Sequence, residues 1–368
     1  MAKTEMKGDV SQFGPNRQLR KIEIELTSEC IVGRHSKGGA CVHCSLKAGT
    51  GIANYLTLKE TESMLADASR LGAKTVVLTG GEPAQHPDFV KILKTAKKMQ
   101  FGTRVYTTGV IGAWQRTTID QMASLIDEVF LSVEGIGEIH DRVLAWPGAF
   151  DQMVEFARKM NAAGIKWAAH FTPMTLNYRQ VDSVARTVHD LGAASFKLID
   201  FVPQGRGWTN RTTLELGQEQ YFELFSLVQS LRGKMVDDQG QDFVKFHDET
   251  YIQTDSGSNQ FGAVQDGGCT SGRESCAILS DGSVIPCLGF RLDTDSNFPS
   301  VKHIAGNIRN NSFENIWMYS KVMKQFAHSR STDVNSMCKG CSMVNDCLGC
   351  CSCRRTELEQ EFLKRNKT

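Results

Sequence analysis

The 368-residue sequence predicts an α/β fold, a partial (β/α)6 TIM-like barrel followed by a small cysteine-rich C-terminal domain. Three observations carry that expectation. Short apolar strands alternate with helical stretches of 10–15 residues, the pattern of a parallel sheet with right-handed crossovers. Six such units are too few to close an eight-fold barrel, so the sheet is expected to stay open. The twelve cysteines fall into two groups, three within 30–44 and nine within 269–353, around a body that has none.

Each element has a local reason. Lys21-Ile22-Glu23-Ile24-Glu25-Leu26 alternates with period two and reads as a strand. Residues 57–71 fit a helix with Thr57 as N-cap, Glu60 closing a capping box and Gly72 ending it. Lys74–Leu78 is a short, continuously apolar strand of the kind buried on both faces. The alternation then repeats, with helices at 87–99, near 115–127, at Phe150–Ala163 and at Val181–Leu191. The strands between and after them are Thr103–Thr107, Glu128–Val133, Lys166–Phe171 and Ala194–Phe201. One more amphipathic helix covers 217–233. Beyond about 250 the composition turns to Gly, Ser, Asp and Cys, and the stretch around Asp255 and Gly257 offers no sizeable apolar core. A domain held by metal clusters is the better account. The expected boundaries are an extension over 1–19, the barrel over 20–250, the cysteine-rich domain over 251–355 and a helical tail over 356–368.

Forty-two basic and 41 acidic residues nearly cancel, which gives no sign of a nucleic-acid or anionic-membrane binder. The N-terminus is polar, and no run approaches the ~18 apolar residues of a membrane span. A cytoplasmic protein is expected, and thiols there stay reduced, so the cysteines point to metal rather than disulfides.

Cys30, Cys41 and Cys44 lie on one loop after the first strand. Three thiolates can hold an iron–sulfur cube by three irons and leave the fourth open for a ligand. Cys41-Val42-His43-Cys44 is a tight C-x2-C, whereas Cys30 returns across ten residues. Compared with a three-residue spacer, closing that loop costs roughly 1 kcal/mol more, small beside metal–thiolate bonds. A single metal ion with His35 or His43 as fourth ligand is the competing reading. At the next strand ends stand Thr79-Gly80-Gly81-Glu82-Pro83, Thr107-Thr108-Gly109, and Ser132 with Glu134-Gly135. The glycines allow close backbone approach, the glutamate can pair with an ammonium, and the hydroxyls suit a ribose. His140 and Arg142 read as structural; His170 and Asp200 read either as substrate contacts or as a buried hydrogen-bonded pair.

With this cysteine loop, GGEP after the second strand and polar tips on the next two, the chain resembles the radical S-adenosylmethionine (radical SAM) enzymes. His140-Asp141-Arg142, Pro147-Gly148-Ala149-Phe150 and Pro203-Gln204-Gly205-Arg206-Gly207 extend the likeness to members with a C-terminal SPASM domain. The resemblance implies that Cys30, Cys41 and Cys44 bind a catalytic [4Fe-4S] cluster and that His43 lies beside the adenine of SAM. It implies that Gly80, Gly81 and Glu82 meet the methionyl amino group, and that Thr107, Ser132 and Glu134 lie where ribose or methionine contacts are expected. One departure is the C-x10-C-x2-C loop, where the family usually has C-x3-C-x2-C; it leaves open the shape of the site near the sulfonium.

In the C-terminal group, Gly282-x4-Cys287 and Cys338-x2-Cys341-x5-Cys347-x3-Cys351 match the SPASM pattern. By resemblance Cys269, Cys276, Cys287 and Cys351 hold one auxiliary four-iron cluster, and Cys338, Cys341, Cys347 and Cys353 the other. Cys350 is left spare, though Cys350, Cys351 and Cys353 are too close together to separate by sequence. Structural zinc at Cys338-x2-Cys341 is the bland alternative.

The resemblance further implies reductive cleavage of SAM, a reducing partner such as flavodoxin or ferredoxin, and a peptide or small-molecule substrate. A peptide or protein side chain is the first expectation, with about 20 residues before the first strand in place of a leader-binding domain. Leu288 stands where sulfatase-maturing members carry an acidic base, which argues against that branch. The alternatives are small-molecule natural-product biosynthesis, including transfer of the aminocarboxypropyl group of SAM, and a non-enzymatic iron–sulfur electron carrier.

Overall fold

A computed structural model describes residues 18–34, 40–51, 53–114, 119–246, 270–290 and 303–328. The expectations for Cys269, Cys338, Cys341, Cys347, Cys350, Cys351, Cys353, His35, the Asp255–Gly257 stretch and the tail lie outside these residues.

The strands are β1 (Lys21–Thr27), β2 (Thr75–Gly80), β3 (Gly102–Thr107), β4 (Glu128–Ser132), β5 (Trp167–Phe171), β6 (Phe196–Leu198) and β7 (Val244–Phe246). They pair in parallel and stand side by side in chain order. That order, without the reversal of a doubly wound sheet, belongs to barrel-type winding, and the fold is the expected partial TIM-like barrel. The principal helices between strands are α2 (Leu58–Arg70), α3 (Phe89–Lys98), α6 (Ala149–Ala162), α7 (Val181–Asp190) and α10 (Gln218–Leu231). Short helices fill the loops: α1 (Ile31–Arg34), α4 (Ile119–Met122), α5 (Glu138–Leu144), α8 (Arg206–Thr209) and α9 (Arg211–Leu214).

Alternation along the strands separates two faces. Ile22, Ile24, Val76, Leu78, Val105, Val129 and Leu131 are fully or almost fully buried in the core shared with the helices. The other face carries Glu23, Glu25, Tyr106, Phe130, His170 and Lys197, in register as Tyr106↔Phe130 and His170↔Lys197. Thr57 caps α2 as expected, with Glu60 completing the box.

Several elements differ from the sequence reading. The strand expected over Ala194–Phe201 is only Phe196–Leu198, the three residues that pair with Ala169–Phe171 of β5 and with β7. The helix expected near 115–127 is described only as the single turn α4; the Met122 carbonyl accepts from both Leu125 and Ile126, closing a tight turn that delivers Asp127 to the Thr103 amide. Helix α5 and strand β7 were not anticipated, each being too short for its period to register.

The described segments of the C-terminal region, which carry Cys276 and Cys287, do not stand apart from the barrel. β8 (Ser275–Ile278), β9 (Ser283–Ile285) and β10 (Gly306–Asn307) continue the same sheet in the order β10-β9-β8-β1. β8 runs parallel to β1, with Ile22↔Cys276 and Ile24↔Ile278 in register. Helices α11 (Phe313–Tyr319) and α12 (Lys321–His328) follow, and Phe313, Ile316, Trp317 and Met323 join the main core.

Candidate active site

The carboxyl ends of β1 to β6 converge on one set of loops. Cys30 lies three residues beyond β1 at the start of α1, where the Gly33 and Arg34 amides donate to its carbonyl at 3.0 and 3.1 Å. Its side chain is buried. Burial pushes the thiol up to about 12, and the nearby charges of Glu82, Cys44 and Cys41 push the same way. The three loop cysteines and Glu82 therefore share one neighbourhood, in which Cys30 becomes a thiolate only against a cation such as iron.

Among the described residues no three His, Cys, Asp or Glu side chains converge as on a single ion. Three thiols are the donor set that an iron–sulfur cube takes on three of its irons. His43 is also committed elsewhere. Its Nδ1 lies 3.4 Å from Cys41 Sγ and its Nε2 3.4 Å from Glu134 Oε1. Burial opposes charge on the ring, but Cys41 and Glu134 outweigh it and hold the pKa well above the usual imidazole range.

The GGEP tip is laced to the end of β1. The Gly81 amide donates to Thr27 O and the Glu82 amide to Glu29 O, both at 2.7 Å. A Cβ on Gly81 would sit 2.0 Å from Glu29 O, and one on Gly80 2.4 Å from Thr27 O, so only glycine allows this approach. The approach carries Glu82 into full burial. Its Oε2 accepts from Thr107 Oγ1 at 3.0 Å and from the Thr108 amide and hydroxyl, both at 3.2 Å. Its Oε1 is buried with no hydrogen-bond partner. Burial raises the carboxyl to about 7 against the lowering effect of the Thr108 and Thr107 bonds. An oriented buried carboxylate with one empty oxygen fits the ammonium of SAM's methionyl group.

Thr107 is brought to the site but has another job. Its hydroxyl donates to Glu82 and accepts from the Gly109 amide and Trp114 Nε1, both at 3.1 Å, which saturates it and leaves nothing for a ribose. Ser132 ends β4 half-buried, in register with His170. Glu134 accepts from the Thr172 amide at 2.8 Å and faces His43, so it orients the C-x2-C loop from below.

His140 is fully buried, and its Nδ1 accepts from the Glu134 amide at 3.0 Å. Burial lowers it to about 4, against Glu134 and Asp141. This neutral ring is structural, as expected, while Arg142 points to solvent. His170 stacks on Phe130 with ring centroids 4.5 Å apart; Asp200 is half-exposed beyond β6. Cys276 is buried on β8 beside Ile22, and Cys287 follows β9, half-buried, near enough to add a little to the upward shifts that Glu23 gives Lys21 and burial gives Tyr106. The sequence reading missed Thr172 and Asn210, and it took the Thr108 hydroxyl for a ribose contact rather than a partner of Glu82; a hydroxyl or amide that serves another side chain leaves no periodic signature.

The sequence model of the radical SAM superfamily matches residues 38–191, and that of the SPASM iron–sulfur cluster-binding domain matches 269–342. An AdoMet-dependent heme synthase of Methanosarcina barkeri is 22% identical over 339 residues, covering 90% of this chain and 90% of its own. A PqqA peptide cyclase of Gluconobacter oxydans is 25% identical over 340 residues, covering 91% of this chain and 86% of its own. The crystal structure of Streptococcus suis SuiB bound to S-adenosylmethionine superposes with a TM-score of 0.66 at 16% identity, over 92% of this chain and 74% of that one.

Proposed function

Because this chain belongs to the radical SAM superfamily and carries a SPASM domain, an enzyme by that membership, we propose that it cleaves SAM to functionalise a peptide or protein side chain. Cys30, Cys41 and Cys44 are the ligands assigned to the [4Fe-4S] cluster. When bound, that cluster supplies one electron to the sulfonium, and a carbon–sulfur bond of SAM breaks homolytically. Glu82 takes the methionyl ammonium, Thr107 and Thr108 aim it, and His43 and Glu134 hold the loop beside it. The observation that carries this reading is the buried Glu82 Oε1, without a hydrogen-bond partner, close to Cys30, which is itself near Cys41 and Cys44.

Two auxiliary clusters follow the resemblance, on Cys269, Cys276, Cys287 and Cys351 and on Cys338, Cys341, Cys347 and Cys353. A flavodoxin or ferredoxin is the proposed electron donor. The peptide reading draws on the PqqA peptide cyclase, which aligns over most of both chains. A second reading, a small-molecule substrate, draws on the heme synthase, which does the same.

Anaerobic reconstitution, iron counting and electron paramagnetic resonance test the cluster, and product analysis after reduction with SAM tests the chemistry. Deoxyadenosine is the expected product. Methylthioadenosine would indicate aminocarboxypropyl transfer instead, and no cleavage at all would favour an electron carrier. The Cys30→Ala, Cys41→Ala and Cys44→Ala variants are expected to lose SAM cleavage; retention by any of them sinks the assignment.

A further inference from the structure

The chain leaving β6 reaches across the barrel mouth to the cysteine loop. Arg206 Nε donates to Cys41 O at 2.8 Å and its Nη1 to Ala48 O at 3.2 Å. The Arg206 amide donates to Cys44 O at 2.9 Å, and Asn210 Nδ2 to Val42 O at 2.9 Å. Gly207 lies against the remaining carbonyl of the C-x2-C run; a Cβ there would sit 3.1 Å from His43 O. Gly205 has φ of 58°, and a Cβ on it would come within 2.5 Å of Ser45 O and 2.6 Å of Cys44 O. Gly205 is thus required by its positive φ and the closeness of the two segments, and Gly207 leaves little room for a side chain. At its other end the segment is itself anchored, since Gln204 Nε2 donates to the carbonyl of Gly289, two residues past Cys287.

We propose that residues 204–210 form a strap that positions the catalytic cysteine loop, with Arg206 as its positioning residue. The proposal rests on the assignment of Cys41 and Cys44 as cluster ligands. The physical need is plain. Carbonyls on a loop of this kind require donors when buried. Apart from the strap, the backbone bonds of Cys41–Cys44 among the described residues are the Cys44 amide to Cys41 O at 3.3 Å, the Lys47 amide to Cys44 O at 3.5 Å and the Val42 amide to Val143 O at 2.9 Å. The guanidinium ties the carbonyl of Cys41 to that of Ala48 while the Arg206 amide holds the carbonyl of Cys44, which fixes the backbone under both thiols far better than water would. Its positive charge, held at the Cys41 carbonyl, also favours the more negative, reduced state of a cluster bound there.

The test uses reconstituted full-length enzyme and the Arg206→Gln, Arg206→Lys and Asn210→Ala variants. Arg206→Gln is expected to keep the auxiliary iron and fold, to bind SAM at least tenfold more weakly, and to lose the change that SAM makes in the paramagnetic signal of the reduced catalytic cluster. Its midpoint potential shifts to more negative values. Arg206→Lys restores the potential, which needs charge, but not the SAM-dependent signal, which needs the fork. Asn210→Ala weakens SAM binding at least threefold, and decides the matter should Arg206→Gln not fold. Unchanged potential, signal and SAM affinity in Arg206→Gln, or unchanged affinity in Asn210→Ala where the former is insoluble, overturns the strap. Wild-type enzyme that binds no cluster through Cys41 and Cys44 overturns the underlying assignment as well, which separates the two failures.

Discussion

Glu82 has one oxygen fully committed and the other empty, and the difference is chemical rather than accidental. Thr107 and Thr108 occupy Oε2 with three hydrogen bonds, so the carboxylate cannot swing to satisfy Oε1 itself. Replacing it by Glu82→Gln keeps the shape and removes the charge. A hydrogen bond to a charged partner is worth about 1.5–3 kcal/mol, so SAM affinity is expected to fall about ten- to hundredfold by equilibrium dialysis. The pH dependence has a definite sign. Burial raises the free carboxyl to about 7, so below that pH a proton must leave before an ammonium can bind. Affinity in the native enzyme should therefore rise from pH 6 toward 7, while Glu82→Gln stays flat over that range. Equal slopes in the two proteins would remove Glu82 from the binding site. The GGEP glutamate was readable from sequence because its residue type and its place at a strand end announce it. Thr107 was only half readable: the sequence shows a hydroxyl at a strand end, but that it donates once to Glu82 and accepts twice exists only in three dimensions.

At the scale of elements, the sequence speaks clearly wherever the rule is local. The capping box of α2 depends on residues three apart and was read to the residue. The three residues of β6 pair with a strand nearly fifty residues later, and no local pattern contains that partner. The tips of β1 and β2 combine both kinds of information. Two adjacent glycines suggest a tight approach, but only the folded chain reveals that Gly81 meets the backbone of Glu29, one residue before Cys30. Gly81→Ala puts a methyl 2.0 Å from a main-chain oxygen that has no flexible end to yield. The two strand tips must separate, at a cost of roughly 1–3 kcal/mol as in other overpacked sites. The expected result is a lower melting temperature together with less iron bound per chain, because the displaced segment carries Cys30. A variant that melts lower but loads iron normally would show that the tip contact serves stability alone.

The whole molecule is organised by a pairing between residues some 250 positions apart. Period-two patterning identifies strands but not their neighbours, so the sequence suggested a cysteine-rich unit beside a barrel rather than one sheet running through both. In the folded chain β8 pairs with β1, the strand that feeds Cys30, and Ile278 lies in register with Ile24 in the main core. Phe313, Ile316 and Trp317 of α11 bury in that same core, and Arg70 of α2 reaches Glu314 at 3.1 Å. Two bodies joined by a linker would share neither a strand ladder nor an apolar core. Cooperative unfolding follows continuity of such contacts, so calorimetry of the metal-free protein should give one transition for barrel and hairpin together. Ile278→Asp is the sharper probe, since it buries an unpaired carboxylate on the barrel side of the hairpin and costs several kcal/mol. It should lower that single transition and loosen β1, measured as faster amide exchange at Ile22 and Ile24. A hairpin that melts separately, leaving protection at those two amides intact, would mean that the C-terminal region leans on the barrel without being part of its fold.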